Sequence, residues 1–471
     1  MTVDLEELRR YEERIHEIAL RYGLDCFDQE FEICDHEDMI GYMAYSGMPS
    51  HYPHWSYGKS HERLKTLYDH GVHGLPYEMV INSDPSLAYL MGDNSTCLNV
   101  LTIAHVYGHN DFFKNNFTFK STRPEHTISA FKSHADRVRR YVEDPSIGID
   151  RVEGLLDSAH ALAFQCRRNL AVKKSSRSEQ TRRLFDAATP RRDPYRDIHP
   201  TPDYVEPDLR RIPLEPDEDL LLFIRDYNPY LADWERDLLT IVHEETGYFL
   251  PQIETKIMNE GWASYWHYQI MTHLDLPPDL RIEFMVHHNQ VLSAAPGSLN
   301  PYRLGFAIWN RIYRDIEGDA PPDHSERTAG RDALFAVRES DRDQSFLRRF
   351  LDERLMRELG LFEYSQQKDE VVVSEISDSE GWKRTKETLL ANVGAASIPV
   401  IKVEDADYGD TRTLLLRHYH EGRDLELDYT ERTLAYAFRL WERPVVLETL
   451  LGGKATTLRF DHDGFVMKEL V

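Results

Sequence analysis

The hydrophobic period of this chain changes near residue 370, and that change bounds what it can fold into. Before it, apolar residues recur at helical spacing over long stretches. After it, V-V-V-S-E-I from Val371, I-P-V-I-K-V from Ile398, T-L-L-L-R-H from Thr413 and T-T-L-R-F from Thr456 read as strands. Trp382 to Asn392 and Tyr429 to Trp441 read as helices between them. The pattern predicts an α+β protein with a large, mainly helical N-terminal domain over 1–365. A small α+β domain follows over 370–471, mixed in order rather than a strict strand–helix–strand alternation. A length of 471 residues agrees with two or three domains of about 100–200 residues each.

Within the first part, Leu5, Leu8, Tyr11, Ile15, Ile18, Ala19 and Tyr22 mark an amphipathic helix over 4–24. Thr96 to Phe113, Thr127 to Val142, Ile149 to Cys166, Asp217 to Arg225, Ala232 to Thr272, Asn300 to Ile316 and 330–358 are also expected to be helical. Leu75 to Asn82 reads as a strand, and Gly47 to Lys59 as an ordered loop rich in donors. Residues 167–216 are rich in Arg, Ser, Pro and Asp and poor in apolar residues, so they are expected to form an exposed polar insertion.

Composition excludes several classes. The net charge of −25 disfavours nucleic acid and anionic membranes as partners. The basic pairs Arg139-Arg140, Lys173-Lys174, Arg182-Arg183 and Arg191-Arg192 lack interleaved stacking aromatics. No apolar run reaches the roughly 18 residues that a membrane span needs, and the acidic N-terminus has no signal-peptide core. The four cysteines form no C-x-x-C pair, which is consistent with a reducing cytoplasm. P-loop, nucleophile-elbow and Rossmann signatures are absent.

The chemistry-bearing residues concentrate in a few helices. His105 and His109, in A-H-V-Y-G-H-N-D-F-F-K-N-N, stand at i and i+4 and share a helical face. That is the histidine spacing of the zinc motif H-E-x-x-H, but Val106 occupies the place of its general base. K-I-M-N-E-G-W-A-S-Y-W-H puts Glu260 and His267 on one face, and two histidines with one carboxylate form a known catalytic zinc set. Glu153, Asp157 and His160 repeat the carboxylate–imidazole pattern, which would serve a dinuclear zinc, iron or manganese site or an ordinary polar helix face. Glu245, beside His243 and Glu244, is the candidate base for a metal-bound water. His287 and His288, with Asn300-Pro-Tyr, are further polar candidates. The polar helices also fit a buried hydrogen-bond network without metal, Glu244 and Glu245 a helix-surface acidic pair, and His287-His288 a partly exposed pair.

The strings G-M-P-S-H-Y-P-H-W-S-Y-G-K, Y-E-M-V-I-N-S-D-P, A-Y-L-M, H-V-Y-G-H-N-D-F-F-K-N-N, T-K-I-M-N-E-G-W-A-S-Y-W-H and N-P-Y-R-L-G occur in this order. Together they resemble the SpoVR family (stage V sporulation protein R-like) from about residue 5 to 360, and the C-terminal part also looks like the family's own. The resemblance implies a cytoplasmic protein linked to spore cortex assembly or stress response. It also implies a PrkA-type serine kinase and a von Willebrand-like protein as partners. His105, His109 and Glu260 fall inside the matching strings, and Glu245 lies within the 5–360 span of the resemblance. His243 and Glu254 depart from the family pattern, which has Arg and Gln there, and are poor candidates for an essential role. The sequence thus leaves two readings open: a metal-dependent hydrolase with a zincin-like or dinuclear site, and a non-enzymatic kinase partner.

Overall fold

The computed structural model describes residues 4–70, 78–168, 173–189, 204, 206–294, 299–318, 328–361, 364–367, 370–373 and 381–469. Residues 75–77 of the expected 75–82 strand lie outside these, as do 374–376 of the strand expected from Val371. The chain forms an α+β structure of two compact units, one of 1–140 with 247–397 and one of 141–246 with 398–471.

The first unit is built around two helices buried on nearly every side. Thr96–Asn115 is capped by Ser95, whose hydroxyl accepts from the Leu98 amide at 3.1 Å. From Asn99 to Phe113 every residue of this helix is buried. Lys256–His273 lies against it, and Pro301–Glu317 packs on the far side of Lys256–His273. Glycines set these approaches. A Cβ on Gly108 would stand 2.6 Å from the Cα of Ala263, and one on Gly261 would stand 2.4 Å from the Cα of Gly305. The three helices therefore meet backbone to backbone, and Trp262, Trp266 and Trp309 fill the space around the contact.

Two buried carboxylates pin this arrangement. Asp111 accepts from the Arg338 guanidinium at 2.6 Å, the Trp262 indole at 2.9 Å and the Asp25 amide at 2.8 Å. Asp343 accepts from the Ile257 and Met258 amides, both at 2.9 Å, and so satisfies the open N-terminus of the Lys256–His273 helix. A helical period continuous from Ala232 to Thr272 resolves into two helices, Asp233–Glu254 and Lys256–His273. Pro251 lacks an amide donor, and Thr255 leaves helical geometry four residues later, with its hydroxyl bonded to the Pro251 carbonyl at 2.7 Å.

A small sheet flanks the helices. Gln29–Cys34 runs parallel to Ser86–Met91, in register from Gln29 opposite Ser86 to Cys34 opposite Met91. Met79–Ile81 pairs antiparallel on the other side. Trp55–Asp69 is a helix, so the expected donor-rich loop ends at Trp55.

In the second unit, Ile401–Tyr408, Thr413–His418, Val445–Leu451, Lys454–Asp461 and Gly464–Glu469 form a five-stranded sheet. The Thr413–His418 and Val445–Leu451 strands are parallel and are joined through the helix Leu427–Trp441; the other pairs are antiparallel. That helix packs on Ile149–Leu162. Within the polar stretch 167–216, Arg177–Ala188 is a helix closed by a Ser176–Glu179 capping box, with no residue of it buried.

Candidate metal centre

The Thr96–Asn115 helix carries His105 and His109 one turn apart, with ring centroids 4.7 Å from each other. The Lys256–His273 helix presents Glu260 to the same point, because the glycine contacts hold the two backbones close. Glu78, the residue before the Met79–Ile81 strand, completes the group. One donor atom from each of these four side chains lies within 4.8 Å of all the others. His105 Nε2 is 3.2 Å from Glu78 Oε2 and 4.0 Å from Glu260 Oε2. His109 Nε2 is 3.8 Å from Glu78 Oε1 and 3.5 Å from Glu260 Oε2. Ligand atoms on bonds of about 2.0–2.1 Å around one ion stand about 3.0–3.4 Å apart, close to the shorter separations in this set.

The donor chemistry fits a divalent ion. Two imidazoles and two carboxylates suit zinc, iron or manganese, and the two negative charges balance the ion's two positive ones. Glu78 Oε2 and Glu260 Oε2 are buried without a hydrogen-bond partner among the described residues. A buried carboxylate oxygen left this way is costly unless a cation takes it.

The surroundings fix the imidazoles. His109 Nδ1 donates to Asn259 Oδ1 at 2.8 Å, which leaves Nε2 turned to the cluster. His105 Nδ1 lies 2.7 Å from His267 Nδ1, and His267 Nε2 lies 2.8 Å from His288 Nδ1. Tyr302 acts on Glu260, drawing its carboxyl down while burial and the Glu260 charge raise the phenol.

Electrostatics without an ion show how strongly these groups couple. Burial works to raise Glu78, but His105 and His109 overcome it and hold that carboxyl at about 2. Burial also works against a charge on His109, yet its hydrogen bond to Glu78 and the Glu78 and Glu260 charges raise it to about 9. Glu260 is pushed up to about 7, by burial first and despite the attraction of His109. His105 is lowered by burial, which outweighs Glu78. Burial drives His267 well below the ordinary histidine range and takes His288 to about 4.

The other candidates lie elsewhere. Glu153, Asp157 and His160 sit half-buried on Ile149–Leu162 in the second unit, outside the four-residue cluster. Glu245 is buried on Asp233–Glu254, among the second unit's residues, while Glu244 beside it is exposed. His243 bonds Asp219 at 2.8 Å, His287 bonds Glu283 at 3.3 Å, and Glu254 pairs with Arg342 at 2.8 Å. The sequence reading did not single out Glu78. Its one local signal is a carboxylate opening the apolar run Met79-Val80-Ile81, where burial demands a partner.

The family model described as SpoVR like protein matches residues 2–398, and that described as SpoVR-like C-terminal domain matches 399–452. A protein of Escherichia coli (strain K12), "Uncharacterized protein YcgB", is 32% identical over 483 residues, covering 95% of this chain and 92% of that protein. No solved structure matches.

Proposed function

Because this chain belongs to the SpoVR family, we propose that its buried His/Glu cluster is a divalent-metal centre and that the protein is a metal-dependent hydrolase. The observation that carries the reading is the convergence of four donors from three chain segments, two of them offering buried carboxylate oxygens without a hydrogen-bond partner among the described residues. His105, His109, Glu260 and Glu78 would hold the ion. A bound divalent ion supplies an activated water and polarises a carbonyl at neutral pH. Asn259 holds His109 with Nε2 facing inward, and Tyr302 steadies Glu260 through its phenol. A base is needed to take a proton from the attacking water, because Val106 stands where the zinc motif would place one. The candidate is Glu245, named by the sequence, because Glu78 is counted among the four donors that would hold the ion. The four donors fit one ion rather than a pair.

The test is elemental analysis of protein purified without a metal-affinity tag, beside a His105→Ala/His109→Ala double variant. About one equivalent of zinc, iron or manganese, lost in the variant, is expected. Absence of metal in the wild type after reconstitution with each ion overturns the reading.

A second reading draws on Val106 alone: without the helix-borne base, the protein is a regulatory partner of a PrkA-type serine kinase acting with a von Willebrand-like protein. Capture of that kinase by a folded His105→Ala/His109→Ala variant would support it. In either reading the family link to spore cortex assembly or stress response is the cellular setting we propose.

A further inference from the structure

Three buried imidazoles run outward from the cluster in one hydrogen-bonded line: His105 Nδ1 to His267 Nδ1 at 2.7 Å, then His267 Nε2 to His288 Nδ1 at 2.8 Å. None of the three exceeds 4% exposure. A neutral imidazole carries one N–H and one lone pair, so each bond needs a donor on one side and an acceptor on the other. Only two arrangements satisfy both bonds. In the first, His105 donates from Nδ1 to His267, and His267 donates from Nε2 to His288; His105 Nε2 then shows a lone pair to the cluster. In the second, every tautomer is reversed, and His105 carries its proton on Nε2, 3.2 Å from Glu78 Oε2.

We propose that His267 and His288 are positioning residues that commit His105 to the tautomer able to bind metal, and that loading the site reverses the tautomers of all three histidines together. The inference rests on the metal-centre reading. An ion can take His105 Nε2 only as a lone pair, which selects the first arrangement. The empty site favours the second, because a proton on Nε2 attracts the Glu78 carboxylate 3.2 Å away, where a lone pair would repel it. In passing from the second to the first, each shared proton crosses its own hydrogen bond towards the cluster. His105 releases its Nε2 proton and His288 gains one at Nε2 from water, so the line stays neutral.

The experiment is long-range proton–nitrogen correlation NMR on the full-length protein carrying 15N-histidine, before and after addition of zinc. Metal-free protein should show His267 and His288 as Nδ1–H tautomers, and zinc should convert both to Nε2–H. Unchanged tautomers with zinc bound overturn the proposal. Failure of the protein to bind zinc, manganese or iron instead overturns the metal reading beneath it. Independently, His267→Phe should weaken zinc binding by about 10–100-fold, the usual effect of removing a ligand's hydrogen-bond partner. His267→Gln, whose carbonyl can accept from His105 Nδ1, should recover most of the loss. Wild-type affinity in a folded His267→Phe variant also overturns the proposal.

Discussion

Glu78 Oε2 stands 3.2 Å from His105 Nε2, although Glu78 opens a strand and His105 lies deep in a helix. If both Glu78 and Glu245 matter, they should fail differently. Glu78→Gln removes one of two charges that balance the ion and should weaken metal retention at least tenfold, read by competition with a chelating dye. Glu245→Gln should retain metal and lose turnover if Glu245 is the base. Full metal loss in Glu245→Gln, or full activity, would remove it from that role.

Metal uptake should strengthen as pH rises. A proton sits on His109, raised to about 9, and shares Glu260, raised to about 7, and an ion must displace both. Apparent zinc affinity should climb from pH 6 to 8, with about one to two protons released per ion at pH 7. Calorimetry in buffers of different ionisation enthalpy measures that release. A pH-independent affinity would contradict the donor set.

Gly261→Ala should be severe for so small a change. The added methyl would meet the Gly305 backbone at 2.4 Å, and neither helix has a flexible side chain there that could yield. Overpacking of this kind costs about 1–3 kcal/mol or more. Because Glu260 is the preceding residue, metal affinity should fall together with the melting temperature. Gly154→Ala, where a Cβ meets nothing within 4 Å in an exposed helix interior, is the matched control and should melt at or above the wild type, since alanine favours a helix by about 0.5–1 kcal/mol over glycine.

Asp343 makes part of the stability pH-dependent. Burial raises its carboxyl to about 7, against the pull of the Ile257 and Met258 amides. Between its ordinary value near 3.8 and 7 the folded chain keeps a proton that the unfolded chain has lost. Its contribution is therefore complete below pH 4, declines as pH rises to 7, and is flat above. Asp343→Asn should flatten that part of the denaturation profile and lower stability by about 1–3 kcal/mol through poorer capping of the amides. A profile identical in slope to the wild type would contradict the buried, proton-holding carboxyl.

Much of this was readable from residue spacing, and the remainder depends on tertiary contact. The i, i+4 rule places His105 and His109 on one face whatever else the chain does, and helical periodicity finds the segments that carry them and Glu260. Glu78 escapes such rules because its partner is a helix about 30 residues away in sequence, and a single carboxylate before Met79-Val80-Ile81 has no period. The strand Gln29–Cys34 is hidden for a related reason: its charged and apolar residues alternate over only six positions. The break at Thr255 is invisible to periodicity because Lys256–His273 is buried on nearly every side, so it has no apolar stripe whose phase could shift at the break. The line from His105 through His267 to His288 needs three helices docked, and no local pattern contains it.

The four donors are numbered 78, 105, 109 and 260, and residues 141–246 of the second unit fall between the third and the fourth. During synthesis the ribosome must therefore deliver more than half the chain before Glu260 exists to join the histidines. A nascent chain ending within 141–246 holds an incomplete set of donors. An ion bound as proposed would therefore find its full donor set only late in the protein's synthesis, and a chain that ends before residue 260 could not hold it at this four-donor site.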